Sequence, residues 1–203
     1  MVNLDDIIEK SGIHPTRIFN VYIFGSRVYG TNKKDSDWDI IMVANNSVES
    51  TEIRNGLFNI HVYTPDKFKK DLDWHRINNL ECIFAPNFAI LKEEINYRSD
   101  FKLDISKLRH ASSHISSNSW VKAKKKITIS DEYHIGIKSL FHSIRIPMFS
   151  KQIVENGSII DFKSANYIWF DLIKNRYNWD ELENKYKPVR NKVNSEFRSI
   201  SYK

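Results

Sequence analysis

The chain is poor in the residues that staple, break or loosen a fold. It holds one cysteine, Cys82, which excludes an intramolecular disulfide framework and a cysteine-based zinc cluster. A lone thiol suits a reducing compartment. Six glycines and five prolines in 203 residues exclude a fibrous or linker-like polymer. No run approaches the roughly 20 apolar residues that span a bilayer. The opening MVNLDDIIEKSG carries early acids and no apolar core of the signal-peptide kind. The expectation is a cytoplasmic protein with no membrane contact.

What the chain does have is aromatic bulk. Five Trp, nine Tyr and twelve Phe are too many for a disordered polymer and enough for a sizeable core. The length fits one compact unit or two small lobes. The net charge of +6 conceals an asymmetry: residues 1–100 sum to −3 and residues 101–203 to +9. An acidic half joined to a basic half suggests carboxylates for cations on one and a phosphate-attracting wall on the other.

Periodicity sorts the elements. Leu4, Ile7 and Ile8 fall at helical spacing and stop at Gly12, which predicts a short helix from Leu4 to Ser11. Val21 to Phe24 and Trp38 to Val43 are short apolar runs of the buried-strand kind. Leu57 to Tyr63 alternates, with Phe58, Ile60 and Val62 on one face and Asn59, His61 and Tyr63 on the other. A helix follows Pro65, with Asp66 as its expected cap, and another ends before Pro86. Past residue 100 helix dominates: Leu103 to Ile115, Trp120 to Ile127, Tyr133 to Ile146, Phe162 to Asn175, Trp179 to Tyr186 and Val189 to Phe197. The fold expected is α+β, a small mixed-sheet core over residues 1–100 followed by a helical, basic lobe over 101–203.

The chemistry lies between Phe24 and Val43, FGSRVYGTNKKDSDWDIIMV. Asp37 and Asp39 stand two apart where an apolar strand begins, and the strand period of two projects both carboxylates to one face. Two carboxylates together repel unless a cation joins them. Hard oxygen donors favour Mg²⁺ or Mn²⁺. Two such ions about 3.5–4 Å apart hold a phosphate, its nucleophile and its leaving group in line. Gly25 and Ser26, directly after the first strand, form a turn where a phosphate can approach the backbone and meet a hydroxyl. Arg27 either adds a charge-assisted contact or braces the loop.

The ordered set of apolar strand, Gly-Ser, a spacer of ten, Asp-x-Asp and a second apolar strand resembles the signature of the DNA polymerase β-like nucleotidyltransferase superfamily. The text GSRVYG and SDWDI looks most like bacterial and phage nucleotidyltransferases related to the RNA-repair-associated branch. HRINNLECIFAP, from His75 to Pro86, shares that likeness, and SNSWVKAKKK and KSLFHSIRI share it more loosely. The resemblance implies transfer of a nucleoside monophosphate from an NTP to a hydroxyl or phosphate acceptor, with release of pyrophosphate and two Mg²⁺ ions. By position, Asp37 and Asp39 are then the metal ligands, and Gly25 and Ser26 grip the β- and γ-phosphates.

One departure stands out. The superfamily usually places a third carboxylate on the next strand, where it helps activate the attacking hydroxyl. Here the polar face of that strand offers Asn59 and His61 instead. Asn59 has an oxygen for a metal but cannot take a proton, whereas His61 can act as a base near neutral pH. Glu81, beside Leu80, reads as a structural acid. The basic half adds Lys138, His142 and Arg145 at i, i+4 and i+7, one helical stripe suited to a triphosphate or to solvent. Lys122, Lys124, Lys125 and Lys126 form a cluster that either tracks an RNA or DNA backbone or is merely solvated.

The reading is a Mg²⁺-dependent nucleotidyltransferase acting on NTP, its acceptor RNA, a protein or a small molecule. The alternatives are a catalytically weak nucleotide- or nucleic-acid-binding module of the same fold, and a regulatory or defence component that modifies a partner protein.

Overall fold

The computed structural model describes residues 2–200. The chain divides into two compact units, one ending at Lys102 and the other beginning at Leu103. The first is built on a five-stranded sheet and the second is helical, an α+β architecture.

In the first unit, helix α1 (Leu4–Ser11) is capped by Asn3, whose side chain accepts from the Asp6 N–H, and ends at Gly12 in the left-handed region. Strands β1 (Ile18–Phe24), β2 (Trp38–Ala44), β3 (Ser50–Asn55), β4 (Phe58–Tyr63) and β5 (Ile90–Glu93) assemble in the order β3-β4-β2-β1-β5. Only β2 and β4 run parallel; the other pairs are antiparallel. The three inner strands are the ones whose apolar pattern marks them as strands. Ile40, Ile41, Met42, Val43, Ile60 and Val62 are all fully buried, and sealing such a run from water on both faces is what fixes its register. The outer strands were not anticipated. β3, STEIRN, is mostly exposed and polar, and β5 has four residues.

The helices of this unit are short. Between β1 and β2 lies the single turn α2 (Ser26–Tyr29). Helix α3 (Pro65–Asp73) follows β4, α4 (Ile77–Ile83) comes next, and α5 (Tyr97–Asp100) closes the unit. The cap of α3 is Thr64, whose hydroxyl accepts from the Lys67 N–H at 3.3 Å, and not Asp66, which lies in the first turn. Pro65 at the first helical position fixes that boundary. Phe68 of α3 is fully buried, stacked on Tyr22 of β1 at 6.1 Å and tilted against Tyr97 at 4.7 Å.

The second unit has fewer and longer helices than the sequence pattern suggests. α6 (Ile105–Thr128) is one helix of 24 residues where two were expected. α7 (Tyr133–Asn156) runs ten residues past the expected end and passes through Pro147. α8 (Asn166–Lys174) starts later than expected, and α9 (Trp179–Ile200) is one helix through Pro188 where two are expected. A mid-helix proline frees the carbonyl four residues back. For Pro147 that is the Ser143 carbonyl, and it accepts a hydrogen bond at 2.6 Å from the fully buried Ser116 hydroxyl of α6. A packing partner thus satisfies the orphaned acceptor and the helix continues. Close approach of α6 and α7 also needs Gly136, since a Cβ there would stand 2.3 Å from Ile127 Cγ1. No helix among the described residues is long and apolar enough to cross a membrane.

Candidate active site

β1 ends at Phe24, and the register places Phe24, Asp39 and Asn59 side by side across β1, β2 and β4. Gly25 follows at the rim with φ +79° and ψ −152°, a conformation that favours glycine. A Cβ on Gly25 would stand 2.6 Å from Asp39 Oδ2, so the bare glycine backbone forms the floor under that carboxylate. The turn closes by hydrogen bonds from the Val28 and Tyr29 N–H groups to the Gly25 carbonyl at 3.0 and 3.2 Å. Ser26 opens α2, and Tyr29 ends it, donating its hydroxyl to the buried Glu81 of α4. Glu81 therefore anchors the turn from behind.

Asp37 is exposed and sits one residue before β2, where the Trp38 N–H donates to the Leu57 carbonyl at 2.7 Å. Arg27 holds the loop that carries it. Its Nε donates to the Asp37 carbonyl at 3.1 Å, its Nη2 donates to the Ser36 carbonyl, and its guanidinium lies 3.8 Å over the Trp38 ring. Of the two roles open to Arg27, the structure has it bracing the loop.

Asn59 stands beside Asp39 on the parallel neighbour strand. Its Nδ2 donates to Asp39 Oδ1 at 3.3 Å and lies 3.3 Å from His61 Nε2. The ring of His61 also meets Phe24 edge-on at 5.8 Å. Asn59 Oδ1 is buried with no hydrogen-bond partner. Gly25, Ser26, Arg27, Asp37, Asp39, Asn59 and His61 thus gather at one end of the sheet.

Among the described residues no three His, Cys, Asp or Glu side chains group as a protein-only metal cluster. The donor set that does exist, Asp37 and Asp39, is hard oxygen. It fits a cation of the Mg²⁺ type, which takes one or two carboxylates and fills its shell with water and phosphate oxygens.

The remaining candidates belong to the second unit. Lys138 is exposed on α7. Arg145, three per cent exposed, meets His142 Nδ1 through Nη2 at 3.1 Å and lies 4.7 Å over the Phe149 ring. Burial first, then the charges of Arg145, Lys138 and Lys122, push the His142 imidazole down to about 3. At 100° per residue Lys122, Lys125 and Lys126 fall on one side of α6 and Lys124 on the other. Lys126 pairs with Glu132, and Lys124 lies 6.0 Å from the Trp179 ring. One polar stripe went unremarked in the sequence: Ser106, Arg109, His110, Ser113, His114 and Ser117 line an open groove along α6, with the two histidine rings stacked at 6.3 Å. Its i, i+3/i+4 spacing is the signal that marks it.

Residues 6–94 match the family model described as "Polymerase beta, Nucleotidyltransferase". No curated protein gives a significant match. Two solved structures are remotely similar over most of the chain. One is a nucleotidyltransferase-like protein from Exiguobacterium sibiricum 255-15, at 12% identity and TM-score 0.36, covering 96% of this chain and 73% of that one. The other is the spectinomycin adenyltransferase AAD(9) from Enterococcus faecialis, at 12% identity and TM-score 0.45, covering 97% of this chain and all of that one. The family match spans the strands that carry Gly25, Asp39 and Asn59, and residues 6–94 are similar to the nucleotidyltransferase domain of the DNA polymerase β-like superfamily.

Proposed function

We propose that the protein is a Mg²⁺-dependent nucleotidyltransferase that moves a nucleoside monophosphate from an NTP to an acceptor, with RNA the first acceptor to try. The observation that carries this reading is the seat of Asp39, its carboxylate on the Gly25 backbone beside the exposed Asp37. Asp37 and Asp39 hold a divalent cation, which when bound draws negative charge from the triphosphate. Gly25 and Ser26 receive phosphate oxygens at the turn. Arg27 acts by holding Asp37 in place. The Asp37→Ala/Asp39→Ala variant is expected to lose NTP-dependent labelling of acceptor RNA, protein and small alcohols alike. Undiminished labelling would overturn the reading.

Asn59 favours a second reading, a binding module of the same fold with weak turnover. Asn59 cannot take a proton, and its Nδ2 lies 3.3 Å from His61 Nε2, so that ring nitrogen is engaged within the sheet face. Calorimetry with each NTP and Mg²⁺, run beside a pyrophosphate-release assay, separates the two. Binding without release across all four NTPs selects the module.

A further inference from the structure

Resting on the assignment of Asp37 and Asp39 as cation ligands, we infer that the site is built for one divalent cation, where the superfamily's reaction uses two. The structural cause is Asn59. It is the register partner of Asp39 across the parallel β2–β4 pair, the place from which a neighbouring side chain reaches the same carboxylate. A second ion about 3.5–4 Å from the first needs an anionic oxygen shared between the two. Asp39 Oδ1 is the oxygen on the Asn59 side, and an amide N–H is directed at it. A cation arriving there meets a hydrogen of positive partial charge in place of a third carboxylate.

The amide is held in that sense by the carboxylate, an acceptor only. Its nitrogen also lies 3.3 Å from His61 Nε2. Turning the amide over would set Asn59 Oδ1 against the Asp39 carboxylate and lose the hydrogen bond between them. The cost of the present arrangement is visible: Asn59 Oδ1 is buried with no partner. A buried acceptor left so is destabilising, and the donation to Asp39 offsets it.

The test counts ions and does not depend on turnover. The full chain is saturated with an NTP analogue carrying a methylene bridge between the α- and β-phosphates and titrated with Mn²⁺, free Mn²⁺ being followed by electron paramagnetic resonance. The expected result is one Mn²⁺ per nucleotide-bound chain, with no spin coupling between ions. Asn59→Asp is expected to take two, with the coupled spectrum of neighbouring Mn²⁺ ions. Two ions on the unaltered chain would overturn the inference and leave the transferase reading standing, since the amide would then have turned its oxygen to the metal. One ion on the Asn59→Asp variant would overturn the role given to Asn59. No Mn²⁺ retained beyond that bound by the free analogue would overturn the cation assignment itself, and the inference with it.

Discussion

Asp39 Oδ2 lies 2.6 Å from the point where a Cβ on Gly25 would stand. The glycine follows β1 and the carboxylate lies on its antiparallel neighbour β2, so the turn proposed to receive phosphate and the carboxylate proposed to hold a cation are set by one strand pairing. Gly25→Ala is therefore expected to fail twice. The φ of +79° strains any side chain by about 1–3 kcal/mol. The added methyl also displaces the carboxylate, and a misplacement of about 1 Å at a reacting centre lowers rates by about 100-fold. Urea unfolding and NTP-dependent labelling measure the two effects separately. Labelling at the unaltered rate would contradict the geometry.

Arg27 has a different consequence. It touches the Asp37 loop through two carbonyls and the Trp38 ring. Arg27→Ala is expected to weaken Mn²⁺ binding about 10-fold, in the range of residues that orient ligands. Arg27→Lys should not restore it, because an ammonium has neither the planar fork nor the stacking face. Mn²⁺ titration of the two variants checks this.

The Ser116 hydroxyl and Pro147 form a coupled pair. Ser116→Ala leaves the Ser143 carbonyl buried without its donor and is expected to destabilise the second unit by about 1–3 kcal/mol. In a Pro147→Ala background the restored N–H at residue 147 can serve the same carbonyl, so the Ser116→Ala penalty should shrink. A double-mutant cycle in urea reads the difference.

His142 makes stability depend on pH. Its folded-state value of about 3 lies below the ordinary 6.5, so between those values the unfolded chain binds the proton and the folded chain does not. Its contribution is complete above pH 6.5 and is lost as the pH falls toward 3. His142→Gln is expected to flatten the decline in melting temperature across that window, measured as the difference between variant and unaltered chain. Equal slopes would place the acid sensitivity elsewhere.

How much of this could be read beforehand depended on whether the signal was local. Helix α1 and the inner strands declare themselves by apolar period, because each buries a continuous face. β3 has no such face, being a border strand of Ser, Thr, Glu and Arg with one isoleucine. The SSNS run of residues 116–119 looks like a break because serine and asparagine favour turns, yet Ser112 and Ser116 are fully buried within α6. At the candidate site, Gly25, Asp37 and Asp39 fall within one short stretch of sequence and are legible there as a group, and the alternation of β4 sets Asn59 on the polar face. The task of Arg27 was not legible, since its acceptors are backbone carbonyls that leave no mark in a sequence. The anchoring of the turn by Tyr29 on Glu81 depends on packing between helices 52 residues apart.

The two borders of the sheet have one more consequence. β3 exposes the Glu52–Arg54 ion pair, and β5 is brief and carries Lys92, whose ammonium bonds the Ile18 carbonyl and pairs with Glu94. Charged, short margins are poor templates for strand addition by another polypeptide. The β-rich unit is thus guarded against runaway self-assembly by the very segments that contribute least to its interior.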